Sequence, residues 1–358
     1  MRKAFKRLRR FINEDSINIY LKLYYKWQIR FKFLTDTDSI DFNLVKDIKE
    51  HWRKFNIKGS TNWHKWYSSR NGIKDVRYIP EDIFYCNIEP FYNRVNFIQA
   101  YSDKAFHNVW FSNINRPVTI AKNISGTCFD DEFNVLSQND VIDRCLNEET
   151  IVIKPTIESG GGRDICFINL NTVTNKRKEV LKVIKNFKKD YIIQGVIKQH
   201  KDLSSINQES VNTIRTMSFL YQGKVHILSS VLRMGVNGAK VDNQAAGGIS
   251  SGISNSGKLS RYAFDKYGNS LEEHPQGFVF NNFIVPSYSD VIEIIKKEHL
   301  KLGHFKIISW DFAIDKDGIP VLIEYNLRFQ EMNFHQINNG PLFGELTNDV
   351  LEDVFGRR

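Results

Sequence analysis

The chain has 358 residues, of which 41% are hydrophobic, and a formal net charge of +9. That length and balance describe a globular protein of two or three subdomains. No apolar run reaches the roughly 18 residues of a membrane span, and the start lacks the apolar core and small-residue cleavage site of a signal peptide. The four cysteines (Cys86, Cys128, Cys145, Cys166) include no C-x-x-C, which argues against structural zinc and for free thiols in a reducing cytoplasm.

The charge is uneven. Residues 1–34 carry ten Lys/Arg against Glu14 and Asp15, a net +8 that leaves about +1 for the rest. This arm interleaves its basic residues with Phe, Tyr, Trp, Leu and Ile. Three readings stay open for it: a helical extension packed on the body, a surface for an anionic membrane, or a site for an anionic polymer. Nucleic acid is not expected, because a charge run alone does not specify it. Residues 35–100 read as mainly helical, with a helix near 42–55 and an aromatic cluster of Trp63, Trp66 and Tyr67 assigned to the core.

From Tyr101 the pattern changes. Ser102-Asp103-Lys104 opens an apolar-periodic run with an N-cap. NRPVTIAK reads as a strand, ISGTCFDDEFNVLS as strand and turn, and 138–147 as a helix. IVIK and ICFINL read as two short strands flanking Ser159, Gly160, Gly161, Gly162 and Arg163. Glycines let backbone N–H groups approach an anion, and Lys154 adds a point charge beside them. The loop is neither a Walker A motif nor a dinucleotide fingerprint, since a strand follows the glycines. A lysine in an apolar strand needs a partner, which favours a phosphate there over an idle turn.

A helix at 175–190 and a buried strand at 191–197 come next. The strands 213–221 and 224–233 form a hairpin about Gln222-Gly223, with Arg215 and Arg233 inside apolar runs. NGAKVDNQAAGGISSGISNSG reads as loop throughout, and 286–303 as an amphipathic helix. The last block, IISWDFAIDKDGIPVLIEYNLR, is a hairpin about an Asp-Gly turn. With Asp315 paired to Gly318, Asp311 would lie opposite Leu322. Asp311, Glu324 and Asn326 would then share a solvated face of oxygen donors suited to Mg²⁺.

The order of these parts decides the reading. A strand lysine, a Gly-rich loop, a linker strand, an Arg-bearing hairpin and Asp…Glu-x-Asn resemble the ATP-grasp superfamily. NTIRTMSF, VLRMG, VDNQAAGGIS and LIEYN resemble its sugar-transfer-associated branch, found among bacterial surface-polysaccharide genes. The resemblance covers roughly 101–344. It implies an α+β fold of two subdomains clasping ATP, preceded by a mainly helical extension. The chain is divided accordingly into a basic aromatic arm (1–34), a helical region (35–100), a first ATP-grasp subdomain with the phosphate loop (101–195) and a C-terminal subdomain with the Mg site (196–358).

The resemblance also implies roles. Lys154, Lys104 and the loop Ser159 to Gly162 would contact ATP phosphates. Gln194, Gly195, Val196 and Ile197 would bind adenine, and His200 or a neighbour the ribose. Asp311, Glu324 and Asn326 would hold magnesium, as two ions. Arg215, Arg233 and Arg328 would serve near the γ-phosphate and the carboxylate to be activated. The implied activity is ligation of an amine or amino acid to a carboxylate on a sugar or glycan precursor through an acylphosphate. The rivals are a kinase acting on a glycan hydroxyl and a nucleotide-binding scaffold without turnover. The expected place is the cytoplasm, with the arm able to meet the inner face of the membrane.

Overall fold

The computed structural model describes residues 14–157, 164–239, 241–243 and 247–356. The loop residues Ser159, Gly160, Gly161 and Gly162, and the first thirteen residues of the arm, lie outside these ranges.

Three helices open the described chain: α1 (Glu14–Gln28), α2 (Phe42–Arg53) and α3 (Asn62–Asn71). Asp41 caps α2 by accepting the amide of Asn43 at 2.7 Å, and α3 stops at Gly72, whose φ of 75° few other residues adopt. Trp63, Trp66 and Tyr67 are buried, as expected, around Phe33 of the turn that continues α1.

A six-stranded antiparallel sheet follows, in the order β3-β2-β1-β6-β4-β5. Its strands are β1 (Thr119–Ile124), β2 (Thr127–Phe129), β3 (Val135–Leu136), β4 (Thr150–Pro155), β5 (Cys166–Asn169) and β6 (Tyr191–Gly195). Two helices, α4 (Gln138–Leu146) and α5 (Lys176–Phe187), cover one face. Val141, Cys145, Val180 and Ile184 pack there on Ile120, Ile151, Ile153 and Ile193. The opposite face carries Lys122 and Lys154, both paired across the ladder with Ile192, and Gln194 beyond them. Strand β6 ends at Gly195, so Val196 and Ile197 belong to the crossover rather than to the predicted strand.

The crossover enters a seven-stranded sheet at its far end. His200 donates its N–H to Ile314 O at 2.9 Å, and Gln199 bridges to Asp315. This sheet has the order β11-β10-β9-β8-β7-β12-β13. Its members are β7 (Thr213–Tyr221), β8 (Lys224–Met234), β9 (Ile249–Ile253), β10 (Leu259–Phe264), β11 (Ser270–Leu271), β12 (Ile307–Ile314) and β13 (Pro320–Asn326). Three helices complete the unit: α6 (Tyr288–His299), α7 (Met332–Asn339) and α8 (Thr347–Phe355).

One face of the large sheet is apolar along its length. Ile214, Leu232, Ile308, Trp310, Phe312, Leu322 and Tyr325 meet Val291 and Ile295 of α6 there. The other face changes character. Met217, Phe219 and Ile307 join α2, α8 and Met332 in a second core, whereas Arg215 and Asp311 stand further along the same strands.

Two predictions need correction. Residues 249–253 are a buried strand, not loop. The run Ile-Ser-Ser-Gly-Ile lacks bulky side chains because α7 lies against it: a Cβ at Gly252 would fall 2.2 Å from Asn339 Oδ1. The register of the last hairpin also differs. A bulge between Asp311 and Phe312 places Asp311 opposite Glu324 and Phe312 opposite Leu322. Regular alternation put Leu322 on the carboxylate face. The extra residue breaks that parity, so Leu322 is fully buried in the apolar core while Glu324 keeps the polar face.

Candidate functional site

The site is built where the lysine-bearing face of the small sheet meets the charged end of the large one. Lys154 comes from β4 and Glu324 from β13. Lys104 comes from a short turn capped by Asp103, whose carboxylate accepts the Ala105 amide at 2.9 Å. The Lys104 amide donates to Thr156 O at 3.1 Å, which ties this turn to the end of β4. Lys104 Nζ then reaches Glu324 Oε2 at 3.3 Å. Three distant segments thus converge on one carboxylate.

Electrostatics record the crowding. Burial lowers the Lys154 ammonium from the ordinary 10.5 to about 8, and Lys104 adds repulsion that Glu324 only partly offsets. Burial alone would raise Glu324, but Lys104, Lys154, Arg215 and Arg233 together hold it at about 2. His107, its ring tilted 38° to that of Tyr325 with centroids 5.0 Å apart, is driven well below its usual range by burial and by both lysines. It is a neutral neighbour of the cations and was missed in the sequence, where a lone histidine carries no signal.

Beside this cluster lies a buried ion-pair network. Arg215 Nε and Nη2 donate to the two oxygens of Asp311 at 2.7 and 2.6 Å. Arg233 Nη1 donates to Asp311 Oδ2 at 3.3 Å, and its Nη2 to Asp242 Oδ1 at 3.3 Å. Arg215 also pairs with Glu331, and Thr213 donates its hydroxyl to Asp242. Asp311 is therefore 2% exposed and paired, not on a solvated face as the sequence reading held. Regular alternation cannot show that the neighbouring strand supplies an arginine at the matching position. Asp242 and Glu331 were unassigned; Asp242 stands inside the quoted motif VDNQAAGGIS, which was the available signal.

Other expected residues separate from the cluster. Arg328 lies past β13 with its guanidinium 4.8 Å over the Phe329 ring. It faces Glu89, whose carboxyl burial pushes up to about 8 against the pull of that arginine. His200 is used locally, its Nδ1 accepting the Asp202 amide at 3.3 Å. Gln194 is buried with its Oε1 unpartnered among the described residues. An orphaned buried acceptor is costly, and this one lies on the same sheet face as Lys154.

The oxygen donors can be tested against a divalent cation. Among the described residues no group of three or more His, Cys, Asp or Glu is arranged for a metal. The set here is two carboxylates facing one another across a ladder plus the amide of Asn326, whose Nδ2 is buried without a partner among the described residues. A carboxylate has roughly four lone-pair sites, and three N–H groups occupy those of Asp311. Glu324 and Asn326 therefore fit a hard cation with Asp311 adding its remaining site. With Lys104 and Lys154 beside them, the arrangement suits a cation-bound polyphosphate.

A two-sheet clasp with lysines on one jaw and a carboxylate hairpin on the other is the ATP-grasp fold. The chain belongs to the sugar-transfer associated ATP-grasp family, whose sequence pattern matches residues 86–350. Among solved structures it is similar to D-alanyl-alanine synthetase A of Vibrio cholerae, with 12% identity over 71% of this chain and 64% of that one, at a TM-score of 0.41. Biotin carboxylase of Campylobacter jejuni, crystallised with β-γ-ATP, has 13% identity over 74% and 47%, at 0.43. The ATP-grasp ligase PsnB, complexed with minimal precursor, Mg and ADP, has 11% identity over 74% and 62%, at 0.43. The chain thus spans less than two thirds of the length of these structures. No curated protein matches it.

Proposed function

We propose that this chain is an ATP- and Mg²⁺-dependent ligase that activates a carboxylate as an acylphosphate and joins it to an amine or amino acid. The convergence of Lys104, Lys154 and Glu324 from three separated segments carries the reading. Lys154 and Lys104 bind and orient the phosphates, and the resemblance gives Ser159 to Gly162 the same task. Glu324, Asn326 and Asp311 would hold Mg²⁺, whose charge neutralises phosphate oxygens. The Gln194 side chain and the crossover backbone at Gly195, Val196 and Ile197 receive the base. Arg215 and Arg233, fixed by Asp311, Asp242 and Glu331, present positive charge to the transferring phosphoryl group. In-line transfer asks mainly for positioning and charge neutralisation, which these residues supply.

The family description supports a sugar or surface-glycan precursor as the acid. Arg328, just beyond the end of β13 and beside Glu89, is a candidate contact for that acceptor rather than for ATP. The test is hydroxylamine trapping. Incubation with ATP, Mg²⁺ and a panel of uronic acids and other carboxylate-bearing sugars is expected to yield a hydroxamate together with ADP. ADP released with a stable phosphorylated sugar and no hydroxamate would establish the kinase instead.

A further inference from the structure

Helix α1 has two faces that the composition of the arm did not separate. On one side the helix and the turn that continues it, Ile29–Phe33, are docked: Tyr25 stacks on Tyr85 at 4.9 Å, Ile29 and Phe33 are buried, and the Phe33 ring stacks on Trp66 at 5.1 Å. Its outer face is bare. Ile19 (60% exposed), Tyr20 (66%), Leu23 (64%), Tyr24 (39%) and Trp27 (54%) line it, and Phe31 (66%) continues the stripe on the following turn. Their spacing of one, three and four places them on one side of the helix. Such a stripe is not needed for packing, because the opposite face already anchors the helix.

Charge indicates what covers it. Lys22, Lys26 and Arg30 are exposed along one edge of the stripe, and no acidic residue occurs between Asp15 and Asp36. The thirteen preceding residues add Arg2, Lys3, Lys6, Arg7, Arg9 and Arg10, again without an acid. Protein interfaces deplete Lys at their cores. A row of Tyr, Trp, Leu and Phe beside cations instead matches a helix lying in the headgroup region of an anionic bilayer, with the lysine stems reaching the phosphates.

We propose that the outer face of α1 is a docking surface for anionic phospholipid, which seats the protein on a membrane. The inference does not depend on the ligase reading. Flotation of the full chain with phosphatidylglycerol–phosphatidylcholine vesicles is expected to carry it into the lipid fraction. Vesicles of phosphatidylcholine alone should carry at least about tenfold less. The outward-facing triple variant L23S/W27S/F31S should lose at least about tenfold in lipid affinity while keeping its circular dichroism and thermal unfolding. K22Q/K26Q/R30Q should lose roughly a hundredfold on the anionic vesicles. A wild type that stays in the aqueous fraction overturns the proposal, as does a serine variant that floats equally well. A dimer dispersed by the serine variant, with no vesicle binding by the wild type, would assign the stripe to a second copy of the chain.

Discussion

The two sheets bury charge in different ways. In the small sheet Lys122 and Lys154 flank the same residue, Ile192, on the same face. Lys122 is supplied with acceptors: Ala105 O at 3.0 Å, Asp131 O at 3.2 Å and Asn108 Oδ1 at 3.3 Å, with the Phe133 ring 3.4 Å away. Lys154 has no hydrogen-bond partner among the described residues, only the field of Glu324 against that of Lys104. In the large sheet the charges close on themselves, Arg215 and Arg233 sharing Asp311. A charge whose partners are all provided by the fold is fixed in place before any ligand binds. A charge left short of partners is held for something that arrives later.

The comparison can be attacked in order of expected effect. Asp311→Ala removes the shared anion of two buried guanidinium groups, so it should cost about 3–5 kcal/mol of stability in denaturant titration, besides turnover. A variant of wild-type stability would mean that the network is not structural. Glu324→Ala, on a less buried carboxylate, should lower ATP turnover by about 10²–10³-fold with a far smaller change in Tm. If it kept wild-type turnover, the cation assignment would fail.

The two lysines then give a crossed pair. Lys154→Met should weaken ATP binding by roughly 10–100-fold, about 1.4–2.7 kcal/mol, without loss of stability. Lys122→Met should instead cost about 1–3 kcal/mol of stability, by removing the donor to the buried Ala105 O and to the part-buried Asn108 Oδ1 and Asp131 O, and leave nucleotide affinity in place. Isothermal titration and thermal unfolding of both variants read the four outcomes; equal behaviour of the two would erase the distinction.

The last effect is a pH dependence. Lys154 has a folded value near 8 against 10.5, so between those pH values the unfolded chain binds more protons. Its contribution to stability therefore rises from about pH 8 to 10.5 and is absent below 8, where both states are charged and burial of the ammonium is fully opposed. Lys154→Met should abolish that rise, and ATP affinity of the wild type should fall as pH passes 8.

Much of this was legible in the chain because it is local. Asp-Gly between alternating runs located the last hairpin, and the apolar run around Lys154 located β4. What stayed hidden is long-range. Parity counting assumes an unbroken ladder, so the bulge at Asp311 moved Leu322 to the wrong face. The partner of a buried charge comes from a strand almost a hundred residues away in the case of Arg215 and Asp311, and no window of sequence contains both. Small residues in 249–253 looked like turn chemistry because the helix that requires their smallness lies eighty residues downstream.

The crossover from Gly195 to His200 has a mechanical meaning. It leaves the lysine-bearing sheet and is pinned within a few residues to Ile314 and Asp315, at the turn end of the hairpin that carries Glu324. The joint between the two jaws is thus fastened to the carboxylate strand pair itself. A swing of the small sheet about this pivot would change the gap between Lys154 and Glu324 while the hairpin stays fixed as the reference arm. Closing and charge matching are then one movement, with the lever arm set by the length of β6.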